Sequence, residues 1–242
     1  MEGMVKEERE GEGGKMDPYR RTATIVGVLF IIATAAGVGS AIFLGPVFDD
    51  PDDLSQAAES ENQVIAGTLF VFTMAIAVAA IAIVIYPVLR KQNEALALGY
   101  VSARVVEAVL FMAALIIILV QLELSQEFAD AAAPDASHFQ TTSALLVAAG
   151  EWTGVIVGLV FGLSALIFYY LLYVSNLIPR WLSIWGFIGA IMYFMVYMIA
   201  MFGTDVEVFV APLAVNEMVL GIWLIFKGFS PEGIESLNGS RS

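Results

Sequence analysis

Six long apolar runs separated by short polar segments make up most of this chain: Ala23–Leu44, Val64–Leu89, Ala95–Leu122, about Thr141–Val174, Leu182–Phe202 and Val208–Phe229. Each is long enough to cross a hydrocarbon layer of about 30 Å, which takes about 20 residues at 1.5 Å per residue. The pattern predicts an all-α, polytopic integral membrane bundle of six transmembrane helices. The first run exceeds the 7 to 15 or so residues of a signal-peptide core, so it is expected to be a retained span. Residues 1–20, with Lys6-Glu-Glu-Arg-Glu-Gly-Glu-Gly-Gly, offer nothing to bury and are expected to form a disordered acidic tail. Residues 21–230 then form the transmembrane domain and residues 231–242 a short C-terminal tail.

The bases fall on alternate sides of the runs. Arg20-Arg21, Arg90-Lys91, Arg180 and Lys227 mark one side. The segments on the other hold Asp49-Asp-Pro-Asp-Asp53, Glu59, Glu61, Glu123, Glu127, Asp130, Asp135, Asp205 and Glu207 with no lysine or arginine. The positive-inside rule places both termini in the cytoplasm of a cell-membrane protein. Trp181, Trp185 and Trp223 near the inner ends and Trp152 near an outer end suit interfacial anchoring or aromatic packing.

Small residues mark packing faces. Gly150, Gly154, Gly158 and Gly162 recur every four residues in the fourth run, a spacing that keeps them on one face and lets another backbone approach. Ala33, Gly37 and Ala41, and Gly186 with Ala190, repeat the pattern more weakly. The partner of the four-glycine face is either a helix of the same chain or a second copy in a homo-oligomer.

A few charged and polar residues interrupt the apolar runs. Arg104 and Glu107 lie in the third, about 12 and 16 Å in from Leu96, with Tyr100 four residues before the arginine on the same face. Asn216 and Glu217 lie in the sixth, Glu217 about 15 Å in from Lys227, level with the pair. A charge at the bilayer centre costs roughly 2.5 to 3.5 kcal/mol on insertion scales, so ionisable residues there face one another or water and mark function by default. Arg104, Glu107 and Glu217 are therefore expected to share one polar cluster. Glu151 in the fourth run and Asn62-Gln63 opening the second sit higher, at an expected outward mouth. Each polar residue alone is equally well read as glue between helices.

Composition narrows the chemistry. Of 242 residues 59% are hydrophobic and 14% charged, and the mean hydropathy is +0.82, values outside the range of soluble domains. With no cysteine, thiolate metal sites and cysteine nucleophiles are excluded, and one histidine, His138, is too few for a histidine-based metal centre. The net charge of −13 argues against nucleic acid as a partner. Asp49-Asp-Pro-Asp-Asp53 lacks calcium-loop spacing, Ser102, Ser164 and Ser183 have no histidine near them in sequence, and no cofactor is implied.

Several stretches carry a resemblance: Glu61-Asn-Gln-Val64, Leu98-Gly-Tyr-Val-Ser-Ala-Arg104-Val-Val-Glu107-Ala, Glu151-Trp152, Leu177-Ile-Pro-Arg-Trp-Leu-Ser-Ile-Trp-Gly186 and Pro212-Leu-Ala-Val-Asn-Glu217, continuing to Gly228. Together they resemble an uncharacterised prokaryotic membrane family, domain of unknown function 4386. The resemblance implies a helical membrane protein of bacteria or archaea, carries no activity over, and points to the side chains that the depth count selects. The expected function is an outward-facing polar cavity, built by Arg104, Glu107, Glu217, Asn216, Tyr100, Glu151 and Asn62, that binds or passes a small solute, proton or cation. A membrane sensor or lipid-binding interaction protein is the second class. An intramembrane enzyme using Glu107, Glu151 and Glu217 is the third, and the weight falls against an enzyme.

Overall fold

The computed structural model describes residues 17–48, 55–130, 136–204 and 210–239. Its long helices are α1 (Pro18–Leu44), α2 (Glu61–Leu89), α3 (Glu94–Asp130), α4 (Ala136–Ser175), α5 (Arg180–Ala200) and α6 (Ala211–Phe226), followed by a short α7 (Pro231–Gly239). Among the described residues there is no strand. Helices α1 to α5 are each long and apolar enough to cross a membrane, whereas α6 qualifies only together with α7, from which it is bent by 83°. The acidic tail expected at the N-terminus lies outside the described residues up to position 16. From Pro18 on the chain is already helix, started by proline at its first position and by the Asp17 carboxylate, which accepts from the Tyr19 N–H at 3.3 Å.

Two elements outgrow the sequence expectation. α3 runs 37 residues and α4 40, about 55 and 60 Å, so this hairpin stands well clear of a 30 Å hydrocarbon layer. Glu123, Glu127 and Asp130, read from their charge as loop, belong to α3. Glutamate, glutamine and leucine are good helix formers, and no proline or glycine interrupts them before Pro134. Glu59 ends the single turn Gln56–Glu59 and Glu61 opens α2, while the acidic positions 49, 50, 52, 53, 135, 205 and 207 lie outside the described residues.

Successive helices pack side by side: α1 on α2, α2 on α3, α3 on α4, α4 on α5, α5 on α6, and α6 back on α1. The result is a closed ring in chain order. One end of the ring, the terminal end, carries both chain ends and the bases; the other is the loop end. Large apolar side chains stay exposed around the outside, among them Ile42, Leu69, Ile83, Val109, Leu163 and Ile188, as a lipid-facing surface requires. The main core, with Val26, Ile85, Leu89, Leu172, Leu182 and Leu224, fills the terminal half of the ring. At the loop end a smaller cluster of Val47, Ala57, Val64 and Leu122 sits beneath the single turn Gln56–Glu59, whose Ala58 N–H donates to the Ser125 hydroxyl at 2.8 Å.

The terminal end is closed by side chains as well. Arg20 of α1 donates to the last carbonyls of α6, Leu224 (3.4 Å), Ile225 (2.7 Å) and Phe226 (3.1 Å), while Gly228 takes the left-handed turn (φ 74°) that ends the helix. Lys91 Nζ donates to the Tyr19 hydroxyl (2.6 Å) and to Asn238 Oδ1 (3.0 Å), so α7 crosses the base and is tied to α1 and the α2–α3 turn. Arg20→Ala should lower thermal stability by about 1 to 2 kcal/mol, because it strips three helix-end carbonyls of a charged donor. The exposed Arg21→Ala is the control; equal melting temperatures for the two variants would remove this role.

Candidate functional site

The buried stripe of α3 reads Ala97, Tyr100, Arg104, Glu107, spaced three, four and three residues apart. That is the spacing of a core-facing helix side, with ions where leucine would ordinarily pack. Arg104 Nη1 donates to both carboxylate oxygens of Glu107, at 3.0 and 2.8 Å. The two residues are 3% and 2% exposed, so little of the pair's own surface is open to lipid or water. The Arg104 guanidinium also lies 5.1 Å from the centre of the Phe161 ring on α4 and 5.9 Å from that of Tyr100, within cation–π range.

Below the pair, toward the terminal end, an aromatic layer seals the ring. Tyr100 stacks on Phe168 at 5.0 Å between ring centres, and Phe168 also meets Phe30 at 6.0 Å and Tyr169 at 5.3 Å. Tyr169 fits because α5 has glycine opposite it: a Cβ on Gly186 would fall 2.1 Å from the ring. The Tyr100 and Tyr169 hydroxyls, Arg104 Nε, Ser183 Oγ and Asn216 Oδ1 are buried without a hydrogen-bond partner among the described residues.

Above the pair is a cavity of about 590 Å³ that all six long helices line. Arg104, Glu107 and Glu217 all face it, so α3 and α6 carry their charged groups to one chamber. It extends to Ala41 near the end of α1 and Val210 beside the start of α6, which sets it in the loop half of the ring. Its walls are mostly apolar and aromatic, with Phe111, Phe161, Tyr193 and Tyr197 prominent. Phe161 meets Tyr193 edge-on at 4.8 Å, and Tyr193 leans on Tyr197 at 4.9 Å.

The remaining residues singled out from the sequence separate. Asn216, next to Glu217 but about 100° further around α6, turns away from the cavity and donates from Nδ2 to the Leu182 carbonyl at 3.2 Å, tying α6 to α5. Tyr100 belongs to the floor and not to the wall. Glu151 and Asn62 are exposed and line no part of the chamber; Gln63 donates to the Phe43 carbonyl at 2.9 Å and joins α2 to α1. The aromatic wall went unremarked in the sequence, although Tyr193 and Tyr197 stand four apart, the spacing of a shared helix face. Within the glycine row, Gly158 and Gly162 are covered by Tyr197 and Phe194 of the same chain, whereas Gly154 has open space beside it. Among the described residues no three His, Asp or Glu side chains stand close enough to hold a metal ion.

A family model described as Domain of unknown function (DUF4386) matches residues 25–228. The chain belongs to that family. The match takes in α2 to α6, α1 from residue 25 on, and every described residue that lines the cavity. Neither a curated protein nor a solved structure matches the chain. The DUF4386 description names no reaction.

Proposed function

We propose that this protein binds a small solute or cation, or passes it or a proton, through the chamber between its six helices. We place it in the cell membrane with both termini in the cytoplasm and the chamber open to the outside. The observation that carries this reading is that Arg104, Glu107 and Glu217 line one cavity. Three ionisable groups at membrane depth are costly to a bundle held only by packing, and such groups in helical membrane proteins ordinarily serve a ligand or ion path. The orientation rests on the bases collected at the terminal end. The aromatic floor supports reading this arrangement as the outward-open one of an alternating pair, or as the resting shape of a binding site.

The chain has no cysteine, so single cysteines report accessibility without background. Ala214→Cys and Ala41→Cys, both lining the chamber, should react with a charged, membrane-impermeant thiol reagent added outside intact cells. Val109→Cys, which is 62% exposed on the lipid side, should not. Lining cysteines that stay as unreactive as Val109→Cys in folded protein, yet react once it is denatured, would end this reading.

A further inference from the structure

The charges facing the chamber do not cancel. Arg104 spends its Nη1 hydrogen bonds on Glu107, and the pair sums to zero. Glu217 remains. It faces the chamber and lies within Coulombic reach of Arg104 and Glu107, but no described residue donates a hydrogen bond to it. A carboxylate in such a place calls for a positive or donating partner, and no described residue donates to it.

The walls narrow what that partner is. A dehydrated inorganic cation takes about six or more oxygen ligands at 2 to 2.6 Å. Among the described lining residues Glu217 is the one unpaired carboxylate, and the Thr34 hydroxyl already donates to the Phe30 carbonyl at 3.0 Å. A proton alone has no use for about 590 Å³. An anion would meet a net negative wall, and a neutral apolar molecule would leave Glu217 without a partner. The Phe161, Tyr193 and Tyr197 rings line the chamber, and Phe161 already accepts the arginine cation at 5.1 Å. Aromatic faces beside a carboxylate are the recognition chemistry of ammonium groups.

On the reading that the chamber takes a small molecule, we infer that its ligand is a hydrophobic organic cation: one ammonium group seated between Glu217 and the Phe161, Tyr193 and Tyr197 rings, with an apolar body filling the rest. Ala33, Gly37 and Ala41 on α1 keep that wall shallow enough for the body.

The test uses full-length Ala214→Cys protein in detergent and two isosteric probes, benzyltrimethylammonium and its neutral carbon counterpart neopentylbenzene. The cation should slow cysteine labelling at about tenfold lower concentration than the neutral probe. Glu217→Gln in the same background should erase that preference while leaving protection by the neutral probe in place. Tyr193→Leu keeps the carboxylate and should weaken the cation about 3- to 10-fold with little change for the neutral probe, so the inference stays testable if Glu217→Gln fails to fold. Equal protection by both probes, protection by neither, or a preference that survives Glu217→Gln would overturn the cation while leaving the chamber accessible. Failure of Ala214→Cys to label at all would instead strike the proposed function.

Discussion

Arg104→Ala is expected to be the most damaging single substitution in this protein, costing about 3 to 5 kcal/mol. The reason is not the worth of the ion pair. Desolvating an arginine and a glutamate to 3% and 2% exposure is so unfavourable that their attraction at 2.8 Å offsets little more than that loss. Removing the arginine leaves Glu107 buried with no cation, and the cation–π contacts to Phe161 and Tyr100 go with it. For a domain of this size the loss corresponds to a fall in melting temperature of about 6 to 20 °C. The double variant Arg104→Met with Glu107→Leu removes both charges and should recover much of the stability, since two apolar side chains at that depth cost nothing to desolvate. Melting curves of the two singles and the double, in one detergent, close the cycle. A singly substituted Arg104→Ala protein that melts with the parent would mean that Glu107 had water or protonation available, and the pair would not be the dry contact described above.

The rest of the chamber divides by how much of its geometry a one-dimensional count can carry. Rise along a helix is nearly invariant, so counting from Leu96 and from Lys227 set Arg104, Glu107 and Glu217 at one depth. The azimuth of a residue around its helix is another matter. Asn216 and Glu217 share a depth, yet one points to the α5 backbone and the other to the cavity, because consecutive residues differ by about 100°. Glu151 and Asn62 show the same limit: the height expected of a mouth, on sides that face away. Azimuth is legible only where a stripe declares itself, and in α3 the run Ala97, Tyr100, Arg104, Glu107 does. In α5 the stripe that stands out is one of small packing residues, Gly186 with Ala190, and Tyr193 and Tyr197 read as further apolar side chains of the span. The helix ends of α3 and α4 stayed hidden for a different reason. Charge marks loops and exposed helix alike, so it does not distinguish them, and only the breaker at Pro134 carries information there.

Ring closure gives the second large effect, expected for Gly27→Leu. α1 and α6 are the first and last long helices, and their mutual contact closes the ring between them. At their crossing a Cβ on Gly27 would lie 2.6 Å from the Gly221 carbonyl oxygen and 3.1 Å from the Ile225 nitrogen, which is backbone and cannot swing aside. Gly221 faces Gly27 in the same way, its own Cβ position 3.2 Å from the Gly27 carbonyl oxygen. Overpacking a tight interface costs about 1 to 3 kcal/mol, and a leucine against backbone belongs at or above the top of that range. The damage should also reach the chamber, because Glu217 precedes Gly221 by one turn on the same face of α6 and moves with it. Gly27→Leu is therefore expected to lower the melting temperature and to abolish the cation preference of the Ala214→Cys assay together. Gly154→Ala is the matched control: it has nothing within 4 Å and should be neutral or stabilising by up to about 1 kcal/mol. If Gly27→Leu melted with the parent while keeping the preference, the first and last helices could not be in contact through their glycines, and the ring would have to close another way.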